Sequence, residues 1–208
     1  MEKINITPEK VFCPQPMYLV GTKDENGIVN FAVKTWITMC WNNSPHISFC
    51  NVGETKTKEN LIKTKAFSAN LVSCDILNLA DYLGNVSGKD AEKNTLEYKY
   101  TNGNILDVPV LEESKWVFEC ELTQKIQLSG SELFIGEIKN IQIDKKLENM
   151  DRESIDLIKL DPVIYAWGNY FSIKEKIGKP GTWKVPNWHK VAICAEKNNK
   201  KGVLNLVM

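Results

Sequence analysis

The sequence predicts a mainly β protein, a β-barrel carrying peripheral helices. Three observations lead there. The chain holds many short runs in which apolar residues alternate with polar ones, the period of a strand with one buried face. Turn residues punctuate those runs closely. Helix-period segments are few and short, which argues for a barrel with helical decoration and against a βαβ array.

The elements follow in order. MYLVGT (17–22) reads as a strand and DENG (24–27) as a hairpin turn, with Asn26-Gly27 supplying the positive φ such turns require. Residues 29–41 read as one long strand. Its odd positions, Val29, Phe31, Val33, Thr35, Ile37, Met39 and Trp41, form a nearly unbroken apolar face. Its even positions are Asn30, Ala32, Lys34, Trp36, Thr38 and Cys40, with one charge among them where a solvated face would carry several. NNSP (42–45) ends that strand and HISFCNV (46–52) returns as the next. TKENLIKT (57–64) is a helix with a hydroxyl at its start and Glu59 in its first turn. AFSANLVS (66–73) is a buried strand, and DILNLADYLG (75–84) a helix capped by Asp75 and closed by Gly84. WVFECEL (116–122) alternates, Gly130 suits a second hairpin turn, and LFIGEIKNIQI (133–143) is the return strand. DRESIDLIKL (151–160) is a helix with an aspartate cap, followed by the aromatic-rich PVIYAWGNYFSI (162–173).

The 208 residues suit a single domain over 1–208, with an extension from about 179 that is basic and punctuated by Pro and Gly. Lys plus Arg and Asp plus Glu both number 26, a balance that points to neither nucleic acid nor an anionic membrane as partner. No apolar run reaches membrane-spanning length and the N-terminus lacks a signal-peptide core, so a cytoplasmic protein is expected. The six cysteines form no C-x-x-C pair, and Cys13, Cys40, Cys50, Cys74 and Cys120 fall in strand-like runs; buried reduced thiols are expected. With two histidines, His46 and His189, and no ligand spacing around either, no metal site is expected.

Common catalytic signatures are absent: no G-x-G-x-x-G, P-loop, H-E-x-x-H or G-x-S-x-G. What remains suits a flat, phosphorylated ligand. A large planar π-system wants aromatic or apolar packing on its faces and amides or hydroxyls at its edge; residues 30–38 offer both. A phosphate wants hydroxyls and cations. Thr55, Lys56, Thr57 and Lys58 open a predicted helix, whose N-terminal N–H groups and dipole favour an anion. Ser87, Gly88 and Lys93 add to them from the loop VSGKDAEK (86–93). Each signal alone is also what an ordinary helix cap or a solvated loop offers.

Order and spacing of these pieces resemble the flavin reductase-like family, the flavoredoxin group of FMN-binding split barrels. The resemblance runs from about Pro14 to Gly178, through PQPMYLVGTKDENGIVNFAVKTWITMCWNNSPHISF, ETKTKENLIKTKAFSANLVS, ADYLGNVSGKDAEKN, VPVLEESKWVFECEL, LFIGEI and LDPVIYAWGNYFSIKEKIG. It implies a six-stranded, Greek-key split β-barrel in a homodimer, with FMN near the subunit interface. It places Asn30, Thr35, Trp36, Ile37 and Thr38 along the isoalloxazine, and Asn51, Lys56 and Thr57 at the phosphate and ribityl chain. Ser87 and Lys93 match the family's S-G-x-D-x-x-K loop, which reaches toward the phosphate, and Tyr165 falls where a C-terminal aromatic approaches the flavin. Lys56 stands where relatives often carry Arg, a point charge in place of a bidentate fork. The implied activity is transfer of hydride from NADH or NADPH to flavin and on to an acceptor, with no catalytic residue assigned because the cofactor carries the chemistry. The alternative is a flavoredoxin-like electron-transfer module, serving an acceptor protein without its own nicotinamide turnover. On this resemblance, the unusual even face of residues 29–41 is covered by flavin and a partner subunit.

Overall fold

The computed structural model describes residues 3–5, 7, 14–41, 43–90, 93, 96–147, 156–166 and 168–175. All but the last two of these lie in one compact unit, residues 1–173. Twelve strands are described: β1 (Gln15–Pro16), β2 (Tyr18–Lys23), β3 (Val29–Lys34), β4 (Ile37–Trp41), β5 (Pro45–Val52), β6 (Ala66–Leu71), β7 (Tyr100–Asn102), β8 (Pro109–Leu111), β9 (Trp116–Leu128), β10 (Ser131–Ile143), β11 (Val163–Ala166) and β12 (Asn169–Ser172). The helices are α1 (Lys56–Thr64), α2 (Leu77–Asn85) and the single turn α3 (Leu157–Leu160). The fold is mainly β, as the alternation predicts.

Seven strands make one antiparallel sheet in the order β3-β2-β6-β9-β10-β5-β4. Its two edge strands, β3 and β4, are consecutive in the chain, separated by Thr35 and Trp36 alone. The edges of a flat sheet of this width would lie about 29 Å apart at about 4.8 Å per strand. Three peptide steps from Lys34 to Ile37 reach at most roughly 11 Å. The sheet therefore curls until its edges meet, forming a barrel that is split where no ladder joins β3 to β4.

The single strand expected over 29–41 is thus two strands, broken by a bend at Thr35–Trp36; taken as one, they leave the six strands of the expected barrel. The break changes which side the odd residues face. Phe31 packs with Met17, Leu19 and Leu83 in the core beneath α2. Ile37, of the same parity, packs with Val20, Phe49, Phe67 and Phe134 inside the barrel. Phe49 anchors that interior, edge-on to Phe67 at 5.3 Å and stacked on Phe134 at 5.5 Å. Beyond Ile37, all of Thr38–Trp41 is exposed on β4, an edge strand of the sheet.

Local signals place most boundaries. Thr55 caps α1, its side chain accepting from Lys58 N. Gly27 and Gly130 take φ of 80° and 74° at the two hairpin turns. The second helix differs from expectation. Asp75 lies in a short 3-10 turn (Cys74–Ile76), and Gly84 sits inside α2. A Cβ on Gly84 would stand 3.0 Å from Val33 Cγ2, so close packing of α2 on β3 explains this glycine better than helix termination. Of the helix expected over 151–160, Asp156 caps the described turn, and 151–155 lie outside the described residues. Cysteine burial is also mixed: Cys120 is buried, Cys50 and Cys74 are half-buried, and Cys40 is exposed on β4; Cys13, Cys194 and His189 lie outside the described residues.

One buried charge ties the far side of the barrel together. Glu119 on β9 is wholly buried and accepts from Asn104 N, Ile105 N, Leu106 N, Asn140 Nδ2 and Gln142 Nε2 at 2.7–2.9 Å. A register shift between Ile138 and Asn140 on β10 puts Asn140 directly opposite it. Burial raises the pKa of this carboxyl, but those donors outweigh burial and hold it at about 2.

Candidate functional site

The site is built where β3, the first turn of α1 and the loop after α2 converge. Asn30 is buried on β3 and its Nδ2 donates to Thr57 Oγ1 at 3.0 Å. Behind it, Asn60 Nδ2 donates to Thr22 Oγ1 at 3.0 Å, fastening α1 to β2. Asn30 Oδ1 is buried without a hydrogen-bond partner among the described residues. Buried acceptors are seldom left so, because desolvation without a replacement partner costs about 1–3 kcal/mol. Gly88 closes over the same atom: a Cβ there would fall 2.3 Å from Asn30 Oδ1 and 2.8 Å from Lys56 Cβ.

Asn30, Lys56, Thr57 and Gly88 line a cleft of about 290 Å³, together with Lys34, Thr55, Ser87 and Lys93. Three lysines enter it. Lys56 pairs with Asp24 at 3.1 Å. Lys93 donates to Leu83 O at 2.8 Å and Val86 O at 3.0 Å, so its ammonium also caps the C-terminal carbonyls of α2. Lys34 donates to Asn51 Oδ1 at 2.8 Å. Lys34 and Lys93 are lowered to about 8 each, mainly by burial; at Lys34 the neighbouring Cys50 opposes the shift and the charge of Lys93 adds to it. The carboxylate of Glu54, also at this cleft, accepts from Lys58 at 2.6 Å.

A second cleft, of about 530 Å³, adjoins the first, since Val33, Gly84 and Asn85 line both. Its walls are aromatic and apolar: Trp36, Tyr165, Tyr170, Met17 and Val33. The β11–β12 hairpin pairs with β1, and its own register sets Tyr165 opposite Tyr170, ring centroids 5.9 Å apart. Tyr170 Oη donates to Asp81 Oδ1 on α2 at 2.5 Å, tying the hairpin to the helix. Burial, then that bond, push the Tyr170 phenol up to about 12.

The residues singled out from the sequence divide accordingly. Asn30, Lys56, Thr57, Ser87 and Lys93 meet at the cationic cleft, and Thr35, Trp36 and Tyr165 at the aromatic one. Asn51 lines neither; it is buried behind Lys34, accepting from Lys34 and from Thr55 Oγ1 at 3.0 Å. The side chain of Ile37 belongs to the barrel core, and Thr38 is exposed on β4 opposite Ser48. His46 is half-buried at the start of β5, Nδ1 3.0 Å from Ser44 O. Lys34, Asp81, Asn85 and Tyr170 were not anticipated. Lys34 was visible as the single charge on the even face of 29–41, whereas nothing local marked the other three.

The donor set fits a flavin mononucleotide: an aromatic-walled space continuous with a cationic one, and an orphaned acceptor between strand and loop. Ligand sites of this kind are typically clefts of about 300–1,000 Å³ lined by apolar groups with a few convergent polar ones. The sequence comparison agrees with this geometry. The chain belongs to the flavin reductase-like family: the family model described as "Flavin reductase like domain" matches residues 11–174. That places it among flavin-related redox proteins. Among solved structures it is similar to the flavoredoxin of Desulfovibrio vulgaris (Miyazaki F), 26% identical with a TM-score of 0.79, over 87% of this chain and 98% of that one. The flavoredoxin from Methanosarcina acetivorans shares the fold at 23% identity and a TM-score of 0.78, over 86% of this chain and 96% of that one. An FMN-binding protein from Thermus thermophilus, solved with bound p-hydroxybenzaldehyde, shares it at 22% identity and a TM-score of 0.71, over 86% and 99%. Among the described residues no helix is long and apolar enough to cross a membrane.

Proposed function

We propose that the protein is an FMN-binding oxidoreductase that accepts hydride from NADH or NADPH and passes the electrons to an acceptor. The observation that carries this reading is the junction of the two clefts at Val33, Gly84 and Asn85. One end suits a phosphate and the other a planar ring, and a phosphorylated flavin needs both. Lys56, Thr57, Ser87 and Lys93 hold the phosphate, Asn30 Oδ1 accepts from the ligand, and Thr35, Trp36 and Tyr165 flank the ring. When bound, the flavin supplies the hydride chemistry, and the protein supplies orientation and electrostatics. No side-chain general acid or base is required for hydride transfer itself.

The test is the visible spectrum of protein reconstituted with FMN, before and after anaerobic NADH or NADPH. Flavin bands that bleach on addition are expected; protein that retains no flavin would sink the reading. The likeness to a flavoredoxin at 26% identity favours a second reading, an electron-transfer module reduced by another protein. Steady-state NADH and NADPH oxidation with added FMN separates the two.

The same reading makes the protein a cytoplasmic homodimer with FMN near the interface. Its support is edge strand β4, where Met39 and Trp41 are 48% and 73% exposed. An apolar edge strand invites pairing unless something covers it, and a formal net charge of zero offers no repulsion against a second copy.

A further inference from the structure

We propose that Lys34 is a third phosphate-binding cation, which turns the cleft into a three-lysine cradle selective for a dianionic phosphate monoester. This rests on the flavin reading above and adds to it a residue and a charge requirement. Lys34 reaches the cleft from β3, Lys56 from α1 and Lys93 from the loop after α2. Among the described residues, Lys56 is the one of the three with a carboxylate partner within 4 Å, Asp24. Lys34 is held by neutral groups, the Asn51 amide oxygen at 2.8 Å and the Phe49 ring face at 5.8 Å. The titratable groups facing it are Cys50 on β5 and Lys93, whose like charge repels it. Asp90 acts on Lys93 from its own loop, and Glu54 is engaged by Lys58. A half-buried and a buried ammonium that repel one another, neither paired with a carboxylate among the described residues, are compensated by an anion from outside.

A proton follows the anion. Lys34 and Lys93 lose theirs near pH 8 in the protein alone. A phosphate monoester, with its second pKa about 6, is a dianion there and favours both charged forms. Binding above pH 8 therefore takes up protons, and affinity falls as pH rises through that value. The experiment is isothermal titration calorimetry of the full chain with FMN and with riboflavin, at about pH 7 and about pH 8.5, in two buffers of different ionisation enthalpy. Lys34→Met should weaken FMN about tenfold or more, leave riboflavin within about twofold, and reduce proton uptake at the higher pH. Lys34→Arg, which keeps its charge across this range, should bind FMN as wild type does at the lower pH and lose less affinity at the higher one. Lys34→Met with wild-type FMN affinity and proton uptake, or Lys34→Arg with the wild-type pH dependence, would overturn the proposal and leave the flavin reading standing. Wild-type protein that binds neither flavin would remove the flavin reading itself.

Discussion

Asn30 and Thr57, 27 residues apart in the chain, are joined by a buried hydrogen bond of 3.0 Å from Nδ2 to Oγ1. The bond locks β3 to the first turn of α1 and turns Asn30 Oδ1 toward the cleft. Asn30→Ala removes both functions. It should cost about 1 kcal/mol of stability and weaken FMN about tenfold. Denaturant unfolding and fluorescence titration measure the two losses, and unchanged FMN affinity would show that Oδ1 is not a ligand contact.

Gly88 tests the same spot by filling it. Gly88→Ala places a Cβ 2.3 Å from Asn30 Oδ1, so either the loop or the amide must shift. FMN affinity should fall more than tenfold while thermal stability changes little, since the loop is at the surface. Retention of wild-type affinity would mean that the ligand does not use this closure.

The phosphate should dominate flavin affinity. Two charge-assisted contacts of about 1.5–3 kcal/mol each separate FMN from riboflavin by on the order of a hundredfold. Added salt should narrow that gap. Lys93→Ala should narrow it too, and should also lower the melting temperature, because Lys93 caps α2 at Leu83 O and Val86 O. Equal affinity of wild type for FMN and riboflavin would place the phosphate elsewhere.

Acid should unlock the Glu119 cluster. Its folded pKa of about 2 lies below the value of about 4.3 expected in the unfolded chain. The stability it contributes is complete above pH 4.3 and is lost as pH falls from there toward 2. Glu119→Gln, which turns an amide donor toward five existing donors, should cost about 3 kcal/mol at neutral pH and flatten the acid limb. Urea titrations of both proteins from pH 7 to about pH 3 compare the slopes; parallel pH dependence would contradict the assignment.

If β4 is a dimer edge, Trp41→Glu should yield monomers. Light scattering at micromolar concentration reads this directly. A monomeric wild type would refute the homodimer.

The sequence by itself determined the local elements and the residue types of the site. Period-2 alternation marked β9, short apolar runs bounded by turn residues marked β2, β5 and β10, hydroxyls and glycines marked α1 and the hairpin turns, and the Thr/Lys cluster marked the cationic end. These signals are legible because a strand's alternation, a helix cap and a positive φ each depend on residues within a few positions. Assigning Tyr165 or Ser87 to a flavin needed the family resemblance, because they meet Trp36 and Lys56 only in space. Tertiary structure alone decided which way each face looks. Protein covers part of both faces of 29–34: α2 packs on Phe31 and Val33 of the odd face, while on the unusual even face α1 closes over Asn30 and Asn51 holds Lys34. The bend at Thr35–Trp36 then turns Ile37 into the barrel, where strict alternation would have kept it beside Phe31. Such a bend follows from closing a seven-stranded sheet on two consecutive strands, and that closure is set by pairings spread from β2 to β10. Nothing near Lys34 in the sequence marks it as part of the cationic cleft for the same reason: Asn51, Lys56 and Lys93 come to its side only once the sheet has curled.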